Sequence, residues 1–325
     1  NEGNSLTTGT RNVAIGQSAL ASEDTGSHNV AIGHVALQDA DAGADAYNVA
    51  VGSNAGKEVT VGVRNTLIGG LAGDALTSSS YNVAIGYEAL SSEDDGNENT
   101  AIGYRALKDL DAGANAANVA IGYLCGENLT TGADNTIMGS YAGDALTTGA
   151  RNTALGYAAL SSETAYGYNV AIGRKALLAQ NAGSNAYNVA VGYNAGLNVT
   201  TGTENTIVGG QAGDALTTGT QNVAIGRGAL GSEDTTGKAV AVGYAALNAQ
   251  DAGADSYNVA VGYNAGIAVS TGIQNVIIGG LAGDALTTGR DNVAIGHNTM
   301  STANGSEARN VAVGTHALAA MDSDG

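Results

Sequence analysis

The sequence predicts an all-β chain: a parallel β-solenoid or β-roll of about 18 short rungs, on a 17/19-residue repeat. Three observations predict it. The pentapeptide Asn-[Val/Thr]-x-[hydrophobic]-Gly recurs eighteen times from Asn12 to Gly314, with Ala239 once in the Asn place. Its spacing cycles through 17, 19, 17 and 17 residues, so a 70-residue super-repeat runs along the chain. Gly accounts for 50 of the 325 residues, while Pro, Phe and Trp are absent. Near-identical units at a fixed period stack on one another, because one unit is too small to bury its own apolar side chains.

Residues 82–98 serve as the type rung. Val83 and Ile85 alternate with Asn82, Ala84 and Gly86, the period-two pattern of a short strand. Ala-Leu or Ala-Gly follows two residues past the Gly. A polar stretch with Thr-Gly, Asp-Gly or Ala-Gly comes next, and these Gly fit turns that need positive φ. Helix is the competing element. A Gly at every fifth to eighth residue opposes it, at about 1 kcal/mol per interior position. Stacking at about 4.8 Å per rung is expected to pair the backbone groups and to bury continuous Val/Ile/Leu stripes, in a rod on the order of 85 Å long.

The Asn residues that head the rungs are Asn12, Asn29, Asn48, Asn65, Asn82, Asn99, Asn118, Asn135, Asn152, Asn169, Asn188, Asn205, Asn222, Asn258, Asn275, Asn292 and Asn310. Identical amides stacked in register are expected to form a structural ladder, bonded to one another or to neighbouring backbone. A small-residue column from Ala19 to Ala317 admits Cys125 and Thr299, so Cys125 reads as a core substitute for Ala rather than a nucleophile. The position after it runs Leu-Leu-Gly-Gly. Gly-Asp-Ala-Leu-Thr marks every fourth rung, at Gly73, Gly143, Gly213 and Gly283. No linker composition interrupts the pattern. Residues 1–325 therefore read as one continuous repeat domain, a segment of a longer fibrous protein.

Charge and inventory narrow the function. A net charge of −18, with no basic stripe, opposes nucleic acid or an anionic membrane surface as a partner. No run of 18 apolar residues predicts membrane insertion. A hydrophobic content of 43% exceeds that of a disordered chain. The four His residues sit at unrelated rung positions and suggest no catalytic pairing, so no enzyme is expected. Calcium is the one cofactor considered. Asp39, Asp41 and Asp45, and again Asp109 and Asp111, alternate before a Gly turn and offer oxygens to a hard cation, although their spacing is not that of an EF-hand. The Ser-Glu-Asp turns near Glu23, Glu93 and Glu233 are weaker candidates, and Asn128, Asn198 and Asn304 head glycosylation sequons at chance frequency. Tyr follows the motif Gly at Tyr87, Tyr104, Tyr123, Tyr157, Tyr193, Tyr244 and Tyr263, and precedes the motif Asn at Tyr47, Tyr81, Tyr168, Tyr187 and Tyr257. Such columns suit either an exposed stripe for sugar or protein contact or cross-rung stacking.

Runs such as Asn152-Thr-Ala-Leu-Gly-Tyr-Ala-Ala-Leu and Thr147-Thr-Gly-Ala-Arg-Asn resemble the repeats of tail-fibre-domain proteins of bacteriophages and bacterial surfaces. More distantly, Asn-Val-Ala-Ile-Gly is similar to the head repeats of YadA-type trimeric autotransporter adhesins, whose repeat is shorter than 17 residues. The resemblance covers essentially the whole chain. It implies a left-handed parallel β-roll, three chains wound together, an extracellular, cell-surface or virion-surface location, and a role in attachment to a surface glycan or receptor. The leading expectation is a structural and adhesive shaft that self-associates as a homotrimer. The alternatives are a filament subunit stacking end to end through open sheet edges, and a single-chain solenoid binding glycan, calcium or ice. Thr-Thr pairs at Thr7, Thr130, Thr147, Thr200, Thr217 and Thr287 motivate the ice reading, although their intervals are uneven.

Overall fold

The computed structural model describes residues 5–43, 45–113, 115–235, 237–302 and 306–319. They fall into two compact units, residues 1–166 and 167–325. All regular structure among the described residues is β, and each unit is a parallel β-solenoid of three-residue strands. The first unit holds nine strands from Val13–Ile15 to Thr153–Leu155, and the second nine from Val170–Ile172 to Val311–Val313. Within each unit every strand pairs with the next in parallel and in register, as in Val83↔Thr100, Ala84↔Ala101 and Ile85↔Ile102, or Val223↔Val240. The extra residues of the 19-residue turns leave the register intact, with Thr100↔Val119 still aligned. The polar stretch between strands absorbs them.

The motif Gly explains why each strand stops after three residues. Gly86 has φ +139°, and a Cβ there would lie 2.2 Å from the Gly103 carbonyl oxygen of the next turn. Only Gly satisfies both the dihedral and the contact. Beyond it, Glu88 and Leu90 both take left-handed backbone with φ 53°, at a cost of roughly 1–2 kcal/mol each. Inter-turn bonds offset that cost. Glu88 donates its N–H to the Gly70 carbonyl at 3.0 Å on one side, and Leu90 donates to the Ala106 carbonyl at 3.0 Å on the other.

The direction of the strand side chains corrects one expectation. The centre of each strand is buried, Ala84 and Ala101 at 0% exposure among them, but the flanking Val and Ile are not. Strand periodicity puts the motif Asn and the strand centre on the inward face, so Val83 and Ile85 fall outward. The continuous Val/Ile stripes therefore lie on the outside of the solenoid. The interior is filled by the Asn column, the Ala column and Leu residues such as Leu20, Leu37, Leu90 and Leu107, all at 0% exposure.

Volume exchange accounts for the four-turn cycle. In three turns of each cycle the strand centre is Ala, and in the fourth it is Leu67, Ile137, Ile207 or Ile277. Each large residue fills space left by two Gly of the following column. A Cβ at Gly56 would meet Leu67 Cδ1 at 2.5 Å, and one at Gly73 would meet Leu67 Cδ2 at 2.8 Å. Gly196 and Gly213 stand in the same relation to Ile207, at 3.0 and 3.4 Å. The Leu-Leu-Gly-Gly alternation is thus a packing rule, in which a buried Leu is worth about 1.5–3 kcal/mol.

Candidate functional site

The Asn column forms a chain of side-chain-to-backbone bonds in each unit. Asn48 Oδ1 accepts the N–H of Asn65 at 2.9 Å, Asn65 Oδ1 accepts that of Asn82 at 3.0 Å, and Asn82 Oδ1 that of Asn99 at 2.9 Å. Many of the Nδ2 groups donate to a loop carbonyl fourteen residues on, Asn65 to Ser79 at 2.8 Å and Asn82 to Gly96 at 2.9 Å, whereas Asn29 Nδ2 donates to the Glu23 carboxylate at 3.3 Å. In the second unit Asn188 Oδ1 accepts from Asn205 at 2.8 Å and Asn258 Oδ1 from Asn275 at 2.8 Å. Ala239 donates its N–H to Asn222 Oδ1 at 3.0 Å but has no amide to pass the pattern on. From Asn29 to Asn292 the Asn residues are buried, Asn12 and Asn310 at the ends are half-buried, and the side-chain bonds between turns make the column a brace.

Threonine hydroxyls serve the same end. Thr130 donates to the Thr147 carbonyl and Thr200 to the Thr217 carbonyl, both at 3.1 Å. These hydroxyls are spent between turns.

The acidic turns rearrange relative to the sequence reading. Glu23, Glu93, Glu163 and Glu233 are fully buried. Glu23 Oε1 accepts the Gly26 N–H at 2.6 Å, and Glu93 Oε1 that of Gly96 at 2.6 Å, which closes the turn from inside. Burial pushes the carboxyls of Glu23 and Glu93 above their ordinary range. Asp41 and Asp111 come up beside the preceding turn, so the carboxylate oxygens of Glu23, Asp24 and Asp41 lie within 4.8 Å of one another. The same holds for Glu93, Asp94 and Asp111, and for Glu233, Asp234 and Asp251. Repulsion from Asp24 raises the Asp41 carboxyl.

The remaining acidic candidates lie apart from these groups. Asp39 bonds through its backbone to the Lys57 carbonyl at 3.1 Å. Asp45 sits 3.3 Å from His28 Nδ1, and Asp109 takes Lys108 Nζ at 2.9 Å. Sequence reasoning ranked the turns at Glu23, Glu93 and Glu233 as the weaker candidates and did not read these Glu as buried. The recurrence of Glu once per super-repeat, at Glu23, Glu93, Glu163 and Glu233, is the signal that marks it.

Cys125 is fully buried, its thiol is pushed up to about 12 by burial, and Sγ donates to the Ile137 carbonyl at 3.2 Å. The thiolate that nucleophilic chemistry needs is not formed at neutral pH. Asn128 is exposed and donates Nδ2 to the Asp144 carbonyl at 2.6 Å, Asn198 does the same to Asp214 at 2.7 Å, and Asn304 lies outside the described residues.

The Tyr columns are both exposed and stacked. Tyr87 lies over Tyr104 with centroids 5.8 Å apart, and Tyr104 over Tyr123 at 5.3 Å. Tyr168 and Tyr187 stack at 5.0 Å, and His28 joins the same kind of column against Tyr47 at 4.6 Å. Tyr87, Tyr123, Tyr187 and Tyr193 remain 46–53% exposed.

Two outward columns of Val, Ile and Thr run beside them. In the first unit they include Val13, Ile15, Val30, Ile32, Val83 and Ile85, and in the second Val223, Ile225, Val276 and Ile278. Ile15 is 58% exposed, Ile68 38%, Met138 40% and Val261 36%. Aligned strands make each column continuous within its unit. The chain matches no protein-family model, and no curated protein matches it in sequence.

Proposed function

We propose that this chain is a non-enzymatic structural and adhesive shaft of an extracellular or virion fibre, and that its copies assemble as a homotrimer through the outward Val/Ile face. One observation carries the proposal. Within each unit every strand presents two outward side chains, most of them Val or Ile, in register with those of the next strand. Contiguous apolar patches of this kind are rare on monomeric proteins and mark interaction surfaces. An in-register face repeats the same side chains at every turn, so it is matched best by another copy of itself under rotational symmetry. The resemblance to tail-fibre and YadA-type repeats supports three copies. The net charge of −18 keeps such an assembly soluble.

Light scattering on an eluting peak tests the assembly. The expected mass is about 95 kDa, three times the 31.8 kDa chain, and the double variant Ile85→Lys/Ile102→Lys should reduce it. A mass of 31.8 kDa for the unaltered chain would refute the trimer, and very large polydisperse species would point to the end-to-end filament.

The acidic groups favour calcium as a second reading. Three of the four super-repeats bring carboxylates of adjacent turns within 4.8 Å. A cation there would relieve the repulsion between Asp24 and Asp41. Calcium is expected to raise the melting temperature and EDTA to reverse the rise. An identical melting temperature in both would end this reading.

A further inference from the structure

The second unit carries a surface hollow of about 480 Å³, opened by the turns that follow strands Thr206–Val208, Val223–Ile225, Val240–Val242 and Val259–Val261. Asp214, Arg227, Tyr244, Asn248, Tyr263 and Asn264 provide its chemistry. Its origin is visible in the repeat. Gly228, Ala245 and Ile267 line it, and two super-repeats earlier the same places hold Glu88, Arg105 and Glu127. There Arg105 Nε lies 2.6 Å from Glu88 and its Nη1 3.7 Å from Glu127, so an ion cluster covers the surface. Replacing all three members by Gly, Ala and Ile removes that cover.

What remains has a particular composition. Tyr244 and Tyr263 stack with centroids 5.3 Å apart and planes 13° from parallel, and they are 44% and 58% exposed. Arg227 lies 5.9 Å from the Tyr244 centroid and donates to its hydroxyl at 3.3 Å. Asn248 Nδ2 is fixed on the Gly228 carbonyl at 2.8 Å. The amide oxygen of Asn264 is shut from water and accepts no hydrogen bond. Asp214, half-buried, supplies a carboxyl that burial raises above its ordinary range.

We propose that this hollow is a saccharide-binding site. Two exposed rings, stacked nearly parallel, offer apolar ring surface to the C–H face of a pyranose. Amides, a carboxyl and a guanidinium around them supply both donors and acceptors for ring hydroxyls. The volume lies within the range of small-ligand sites and accommodates one or two sugar rings. A phosphorylated ligand fits worse. Arg227, the one cation that lines the hollow among the described residues, shares it with Asp214 in a chain of net charge −18. A deep apolar pocket, which a peptide anchor would use, is not part of the lining.

The test is saturation-transfer NMR and titration of the full chain with glucose, galactose, mannose, N-acetylglucosamine, N-acetylneuraminate and their common disaccharides. At least one sugar should bind with Kd of about 1 mM or tighter. Tyr263→Ala should weaken it about tenfold or more. The triple variant Gly228→Glu/Ala245→Arg/Ile267→Glu should abolish binding with the fold intact. The chain already carries those side chains at the equivalent places with φ 53° at Glu88 and 55° at Arg105, against 64° at Gly228 and 49° at Ala245. A Cβ at Gly228 meets nothing nearer than Asn248 Nδ2 at 3.5 Å. Absence of saturation transfer from every sugar would overturn the proposal, as would equal binding by the triple variant. The hollow is separate from the strand faces, so the solution mass is expected to be the same in the triple variant, and the fibre reading stands or falls independently.

Discussion

Glu88, Arg105 and Glu127 in the first unit and Gly228, Ala245 and Ile267 in the second occupy the same three places of the repeat, and almost nothing but their surface chemistry differs. The backbone is left-handed at the first two places in both units, with φ between 49° and 64°. The strands that flank them pair in the same parallel register. One triad is an ion cluster with Arg105 at its centre, and the other opens onto paired tyrosines. Inside the solenoid the same repeat tolerates far less. The motif Gly recurs in every turn, and a large strand centre appears only where two Gly make room for it. The outer places vary because water accommodates whatever they hold. The inner ones are tied to the turn on either side.

That contrast yields a graded set of expectations. Gly86→Ala should do the most damage. Its Cβ would meet the Gly103 carbonyl oxygen at 2.2 Å with φ at +139°, and a loss exceeding about 3 kcal/mol is expected in chemical denaturation. An unchanged midpoint would show that the inter-turn spacing is soft and the contrast false.

Leu67→Ala comes next. The cavity beside Gly56 and Gly73 should cost about 2–5 kcal/mol in the same assay. A loss below about 1 kcal/mol would mean that the Gly positions do not depend on it.

Acid should stabilise the chain. Burial raises Asp74 to about 6 from an ordinary 3.8, and raises Glu23 and Glu93. The folded chain therefore holds protons that the unfolded chain releases between about pH 4 and 6, so unfolding free energy falls as pH rises through that window. The melting temperature should be higher at pH 5 than at pH 7, and Asp74→Asn should reduce the difference. A melting temperature that rises toward pH 7 would contradict the burial of these carboxyls.

Arg105→Ala should matter least, with little or no shift of the denaturation midpoint, because its partners and its own guanidinium remain partly in water. A larger loss would place this surface among the inner, tied positions.

Much of the architecture was legible from the chain alone, for a physical reason. Parallel in-register stacking repeats each contact once per turn, so the period, the Asn column and the Ala column appear directly as letters at fixed spacing. The facing of the strands was not legible. In a three-residue strand both faces are sampled almost equally, and the hydrophobicity of Val83 and Ile85 points inward on any transfer scale. The interior instead takes the Asn amides, because the hydrogen bonds between turns satisfy them there. The acidic sites were half legible. Asp41 and Asp111 do join carboxylate groups, but their partners Glu23, Asp24, Glu93 and Asp94 come from the preceding turn, and residues a whole turn apart carry no local pattern. The hollow was invisible for the opposite reason. It arises where the repeat departs from itself, at Gly228, Ala245 and Ile267, and a reading guided by periodicity smooths such departures away.

The Leu–Gly exchange around Leu67, Ile137, Ile207 and Ile277 also governs how such a chain can change length during descent. Excising or duplicating one whole 70-residue cycle rejoins turns whose side chains already match. Losing a single turn sets Leu against Leu, or leaves two Gly facing nothing, and strands that join in register still fail to fill. Viable variants of this gene should therefore differ in steps of four turns, a ruler whose smallest division is set by the volume of one leucine.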